Sequence, residues 1–209
     1  MVDPILASIA TFANTLTFRD LSAAAVQASK ERMLDAIACG IAAHDCDTAA
    51  VGRSLAGGAS RPEWAGRLLG SKKLAAADAA AFVNTCMIRN LDLNDIIQGG
   101  HPSDGLGALL AVAPQVGASG ERLITAMVVM YEIIIRLQRA ARIREKGWDQ
   151  GYALGVGLAA ALANLMGLGR EATLNAIAIT GVGNVPMRAT RAGQLSMWKG
   201  AATDRKSVV

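Results

Sequence analysis

The chain has 209 residues, 52% of them hydrophobic and 18% charged, which excludes a disordered protein because burial of so much apolar surface offsets the ordering entropy. Aromatic residues make up only 4%, so the apolar mass is Ala, Leu, Ile and Val, which suits closely packed helices better than an aromatic-rich sandwich. The net charge of +4 is scattered, with no basic stripe and no interleaved aromatics, which argues against nucleic acid and favours an anionic small substrate.

In chain order, residues 5–15 and 21–43 read as helices. In the second, Leu21, Ala25, Ala28, Met33, Ile37 and Ile41 recur near helical spacing, and Asp20 or Ser22 caps its start. Gly57-Gly58 and Arg61-Pro62 mark a loop, residues 63–69 are too short a run to assign, and 72–89 is an Ala-rich helix with Asp78 in its early turns. Residues 90–100 are irregular. Pro102 suits the first turn of a helix running toward 116, which Pro114 kinks or ends. Ser119 opens a long helix to 142, on which Thr125, Glu132, Arg136 and Arg139 form one polar stripe.

Residues 151–166 form a buried helix closed by Gly167 and Gly169. The uncharged run 150–169 has the length of a membrane span, but its Gly and Ala content and Asn164 favour a core helix, so no membrane is expected. A shorter helix covers 170–179, and 181–209 is loop-like with a helical stretch around 197–203. Strand signals are poor throughout, so the class is all-α, a helical bundle.

Cys39, Cys46 and Cys86 form no close pair, and His44 and His101 are the only histidines. Neither a zinc site nor a cysteine-ligated cluster is expected, and the thiols read as reduced in a cytoplasm-like compartment. The start, Met1-Val2-Asp3-Pro4, lacks the basic region of a signal peptide. The densest polar constellation is Asn90-Leu91-Asp92-Leu93-Asn94-Asp95 followed by His101-Pro102-Ser103-Asp104. Asp92 and Asp95 share a face if they lie on a helical turn, and His101 follows across a glycine pair. A helix N-terminus lowers the proton affinity of a histidine and a nearby carboxylate raises it, a balance that suits general acid or base work near neutral pH. The plainer alternative is that Asp and Asn make turn hydrogen bonds while His101 caps a loop.

The run from Asn84-Thr85-Cys86-Met87-Ile88-Arg89 through Asp95, with His101-Pro102-Ser103-Asp104 after it, resembles the signature of the MmgE/PrpD family. Further matches follow in register: Ser119-Gly120-Glu121, Tyr131-Glu132 with Arg136, Gly147-Trp148-Asp149 and Gly167-Leu168. The segment from Arg191-Ala192-Gly193-Gln194 to Trp198-Lys199-Gly200 is similar to the 2-methylcitrate dehydratase branch. Decarboxylase relatives carry His-Pro where this chain has Asp149-Gln150, and tend to have Thr where it has Ile96.

The resemblance implies a cytoplasmic, homodimeric hydro-lyase of propionate catabolism. It would remove water from a small tricarboxylate such as 2-methylcitrate by metal-independent acid/base chemistry and without a cofactor. On this reading His101, Asp92 and Asp95 are catalytic, with Asp92 orienting His101 or serving as a second acid/base. Lys199 and one of Arg188 or Arg191 bind carboxylates, since guanidinium grips them bidentately. The resemblance further implies that 1–202 is an N-terminal helical domain, incomplete, because family members are usually more than twice as long. Thr203-Asp204-Arg205-Lys206-Ser207-Val208-Val209 does not resemble the expected continuation, so 203–209 reads as an atypical tail of a truncated product, inactive alone and prone to associate. The competing reading is a non-catalytic helical remnant or interaction module.

Overall fold

A computed structural model describes residues 2–97, 100–183 and 185–191, with side chains as far as Ala189. The first helix, α1 (Pro4–Thr15), starts where Pro4 fits the first turn and the Asp3 carboxylate accepts from the Ile5 and Leu6 amides. Ser22 caps α2 (Ala23–Ala42) by accepting from the Ala25 amide. Asp20, the other expected cap, closes a capping box with Thr17 one turn earlier. The buried face of α2 runs through Ser29, Ala36, Cys39 and Gly40, and the expected apolar stripe is displaced from it: Ile41 is 68% exposed.

A helix the periodicity does not announce, α3 (Asp47–Leu55), carries Gly52 in its interior because it lies directly on α4, where an added Cβ would stand 2.9 Å from Val83. The helix expected from residue 72 begins later. β1 (Ala65–Arg67) pairs antiparallel with β2 (Leu74–Ala76), in the register Ala65↔Ala76, and only then does α4 (Ala77–Asn90) start. Ladder bonds and the Ala76 amide bonded to the Gly57 carbonyl override the helix propensity of the alanines.

A 3-10 turn, Pro102–Gly105, leads into α5 (Leu106–Val112), which stops before Pro114. α6 (Gly120–Ala141), α7 (Gly151–Met166) and α8 (Arg170–Gly183) follow, the last running four residues beyond the expected end. On α6 the expected polar stripe loses Thr125, which is buried with its hydroxyl donating to the Glu121 carbonyl, while Glu132 and Arg136 pair at 2.7 Å.

The molecule is a mostly α assembly in two groups of packed helices. α4 lies against α2, α3 and α5, and α7 against α6, α8 and α1. α7 is mostly apolar because most of its residues are buried, and Gly157 lets it cross α6 closely: an added Cβ would lie 2.7 Å from Ile134. Among the described residues no helix is long and apolar enough to cross a membrane. All three cysteines are free thiols, two of them buried. The helical stretch expected around 197–203 and the 203–209 tail lie outside the described residues.

Candidate active site

The site forms where α4 ends. Its last turn delivers Arg89 into the interior, 6% exposed, and the chain then leaves the helix through Asp92, which adopts a left-handed φ of 58°. Asp92 and Asp95 therefore do not share a helical face; α4 has already ended at Asn90, and the two carboxylates go to different partners. Asp92 folds back onto the Arg89 guanidinium. From its other side the same guanidinium faces Asp104, Nε to Oδ2 at 3.5 Å, and Asp104 is fully buried. Asn94 joins the layer by donating to the Ser103 hydroxyl and to Asp104, each at 2.8 Å.

Asp95 accepts from the Ser103 amide at 3.1 Å and from the Tyr131 hydroxyl at 2.8 Å, and Arg32 of α2 approaches it at 3.6 Å. Burial and then the Asp95 carboxylate push the Tyr131 phenol well above its usual range, so it stays protonated and donates. The whole layer rests on a close approach of α5 to α4. At Gly107 an added Cβ would meet the Thr85 hydroxyl at 2.4 Å, and Thr85 donates to the Asp104 carbonyl at 3.1 Å.

His101 stands at the N-cap of the 3-10 turn, with its side chain only 9% exposed. Its Nε2 lies 3.6 Å from Asp92 Oδ1, too far for a hydrogen bond and an ion pair only when the ring is protonated, while Asp92 itself is 55% exposed and opens the site to solvent. Among the described residues Nδ1 makes no hydrogen bond of good geometry, although the Asn94 and Asp95 backbone lies near enough to favour the protonated ring. Burial lowers the proton affinity of the ring most, the Arg89 charge lowers it further, and Asp92 opposes both; the net shift is downward. The imidazole is thus a neutral, proton-accepting group at pH 7.

Of the residues the sequence singles out, His101, Asp92 and Asp95 come together in one network. Arg188 lies elsewhere, lining a pocket with Arg139, Arg142 and Arg144. Lys199 and the side chain of Arg191 lie outside the described residues. Asp149, at the position of the decarboxylase histidine, is buried and accepts from the Gly151 amide at 2.9 Å, capping α7. Sequence reasoning missed Arg89, Asp104, Asn94 and Ser103 as site members although all four sit inside the motif; Arg32, some sixty residues upstream, gives no signal in the sequence. Among the described residues no group of three or more His, Cys, Asp or Glu side chains is placed to hold a metal ion.

A family model described as MmgE/PrpD N-terminal domain matches residues 7–207. The 2-methylcitrate dehydratase of Escherichia coli (strain K12) is 34% identical over 144 residues, covering 60% of this chain and 30% of that protein. The 2-methylcitrate dehydratase of Cupriavidus necator is 33% identical over the same shares. Alkylcitrate dehydratase phiI of Fungal sp. (strain ATCC 74256) is 29% identical over 212 residues, 92% of this chain and 41% of that protein. The chain spans less than half the length of these curated relatives.

Proposed function

The chain belongs to the MmgE/PrpD family through its N-terminal domain, and we propose that this stretch carries the acid/base site of a hydro-lyase acting on a small tricarboxylate such as 2-methylcitrate. The similarity to proteins named as dehydratases supports the reaction class. The observation that carries the residue assignment is the buried, neutral His101 beside the Asp92 carboxylate.

Elimination of water breaks a C–H bond next to a carboxylate and a C–O bond on the adjacent carbon, leaving a C=C bond. His101 takes the proton from carbon, the imidazolium so formed is stabilised by Asp92, and the hydroxyl leaves as water after receiving that proton back from the imidazolium, which returns the ring to its neutral form. Arg32, 45% exposed beside Asp95, adds a cation to the described part of the site, and Lys199 and Arg191 are the further carboxylate-binding residues of this reading. No step runs through a metal or a cofactor. The working enzyme on this reading is a cytoplasmic homodimer of propionate catabolism, and the 209-residue chain alone is inactive or nearly so.

In a full-length protein containing this stretch, His101→Ala lowers turnover of 2-methylcitrate by roughly 100- to 10,000-fold, read as loss of the unsaturated product's ultraviolet absorbance. Near-normal turnover removes His101 from the chemistry, and ordinary turnover by the 209-residue chain removes its inactivity. A second reading, a non-catalytic interaction module, draws on the apolar groove of about 710 Å³ between α1 and α6, lined by Ile5, Ile9, Phe12, Ile133 and Leu137. It gains ground if the unaltered full-length protein leaves tricarboxylates untouched.

A further inference from the structure

At the C-terminal end of α6 the chain turns sharply. Arg142 takes a left-handed φ of 48°, and Gly147 closes the following 3-10 turn, Ile143–Lys146, at a φ of 85°. Between these two left-handed residues the backbone doubles back on itself. Arg139 in the last helical turn, Arg142 at the cap and Arg144 in the 3-10 turn are thereby gathered around one cavity. The returning chain adds a fourth guanidinium. The Arg188 amide donates to the Gly147 carbonyl at 2.9 Å, and the Asp149 amide to the Pro186 carbonyl at 2.8 Å, which pins Arg188 beside the turn.

The cavity measures about 580 Å³, and among the described residues of its lining Glu145 is the only acid, so four arginines against one glutamate leave +3 there. Glu145 is taken by Arg142 at 2.7 Å. Arg139, Arg144 and Arg188 form no ion pair among the described residues. Basic side chains at a helix C-terminus ordinarily offset the macrodipole, but that end carries only about half a negative charge, which one cation satisfies. Among the described residues these three guanidiniums around one cavity have no acidic partner, and they repel each other. Arg142 also holds a backbone conformation that long side chains rarely adopt, a kind of strain that clusters at binding sites.

We propose that this pocket is a second anion site, separate from the His101 cluster, which takes a compact small molecule bearing two or more carboxylate or phosphate groups. None of the described lining residues belongs to the His101 cluster, and the inference stands apart from the proposed dehydratase activity. A monoanion leaves at least two of the three guanidiniums uncompensated; a molecule with two or three anionic groups satisfies them through paired N–H donors. The volume lies within the usual range for small-ligand pockets, roughly 300 to 1,000 Å³. Because the arginines are solvent-facing, binding weakens steeply with added salt.

The test is calorimetric titration of the 209-residue chain with citrate, with pyrophosphate and with acetate at low ionic strength. The expected result is a site for citrate or pyrophosphate that depends on these arginines and takes no acetate, with tighter citrate identifying a polycarboxylate ligand and tighter pyrophosphate a phosphate ligand. Arg139→Ala/Arg144→Ala weakens that binding by at least about tenfold, as loss of charge-assisted hydrogen bonds requires, whereas His101→Ala leaves it unchanged. Both arginines are exposed, so the pair variant retains its helical circular dichroism; Arg144→Ala/Arg188→Ala repeats the test on the other side of the cavity. Absence of polyanion binding overturns the proposal. So does acetate binding as tightly, and so does binding that survives both arginine pairs but is lost in His101→Ala.

Discussion

Arg89 does more at this site than fill space. Its guanidinium is shared between the fully buried Asp104 and the half-exposed Asp92, so one rigid fork fixes a carboxylate that its own left-handed turn would otherwise leave free to rotate. The consequence is measurable because the chain has only two histidines, His44 and His101. Asp92→Asn lowers the His101 titration midpoint in a proton NMR series, since the carboxylate favours the protonated ring. In an Arg89→Met/Asp104→Asn background, which removes both buried charges together, the same Asp92→Asn change leaves the midpoint nearly unmoved. An unchanged shift in that background means the turn alone places Asp92. The direction of the His101 shift also sets a pH dependence of stability. Its proton affinity is lower folded than unfolded, so the unfolded chain binds more protons as pH falls below about 6.5. The stabilisation is fully present above that pH and is lost as pH falls through the folded value. Thermal midpoints between pH 8 and pH 5 therefore fall less steeply in His101→Gln than in the parent, and parallel curves exclude the link.

Among the elements, long periodic helices were legible and contact-made ones were not. α6 and α7 announce themselves by spacing, a Ser119 cap and a Gly167 stop with φ of 69°. α3 was hidden because Gly52 reads as a helix breaker until Val83 is placed against it, and β2 was hidden because Leu74-Ala75-Ala76 has helical propensity until β1 pairs with it. The candidate site divides the same way. Its motif residues were visible in one run of sequence, but the left-handed turn at Asp92 after the end of α4, with Arg89 and Asp104 meeting inside, is encoded by no local pattern. Gly107 is the element-level hinge of that meeting. An added methyl would press on the Thr85 hydroxyl, amide nitrogen and Cα at 2.4, 2.5 and 2.8 Å, and backbone cannot step aside as a side-chain tip can. Gly107→Ala is expected to destabilise by about 1 to 3 kcal/mol in urea unfolding and to move the His101 midpoint by separating the 3-10 turn from α4. Gly120→Ala, where nothing lies within 4 Å, is the control. A Gly107→Ala protein as stable as that control shows α5 free to slide.

At the scale of the whole molecule, the two helix groups meet at the Pro102–Gly105 turn, which packs against α2, α4, α6 and α7, so His101 depends on both. The far end of the assembly is closed by two asparagines that reach across most of the sequence. Asn164 of α7 donates to the Ala13 carbonyl at 2.8 Å, and Asn14 of α1 donates to the Leu168 carbonyl at 2.7 Å. The Ala13 carbonyl is among the last four of α1, which lack a partner within the helix, and Leu168 lies in the connection between α7 and α8. α1 also puts Ala10 and Ala13, each fully buried, into the shared core. If α1 is integral to one cooperative unit, loosening its tie costs the whole fold rather than one helix. Asn164→Leu leaves the Ala13 carbonyl without its donor, a loss of about 1 to 3 kcal/mol. Amide exchange in α4, which Asn164 does not touch, should then quicken by at least about fivefold along with exchange in α1. Faster exchange confined to α1, with α4 protection intact, would show that α1 frays independently and that the site's two halves hold together without it.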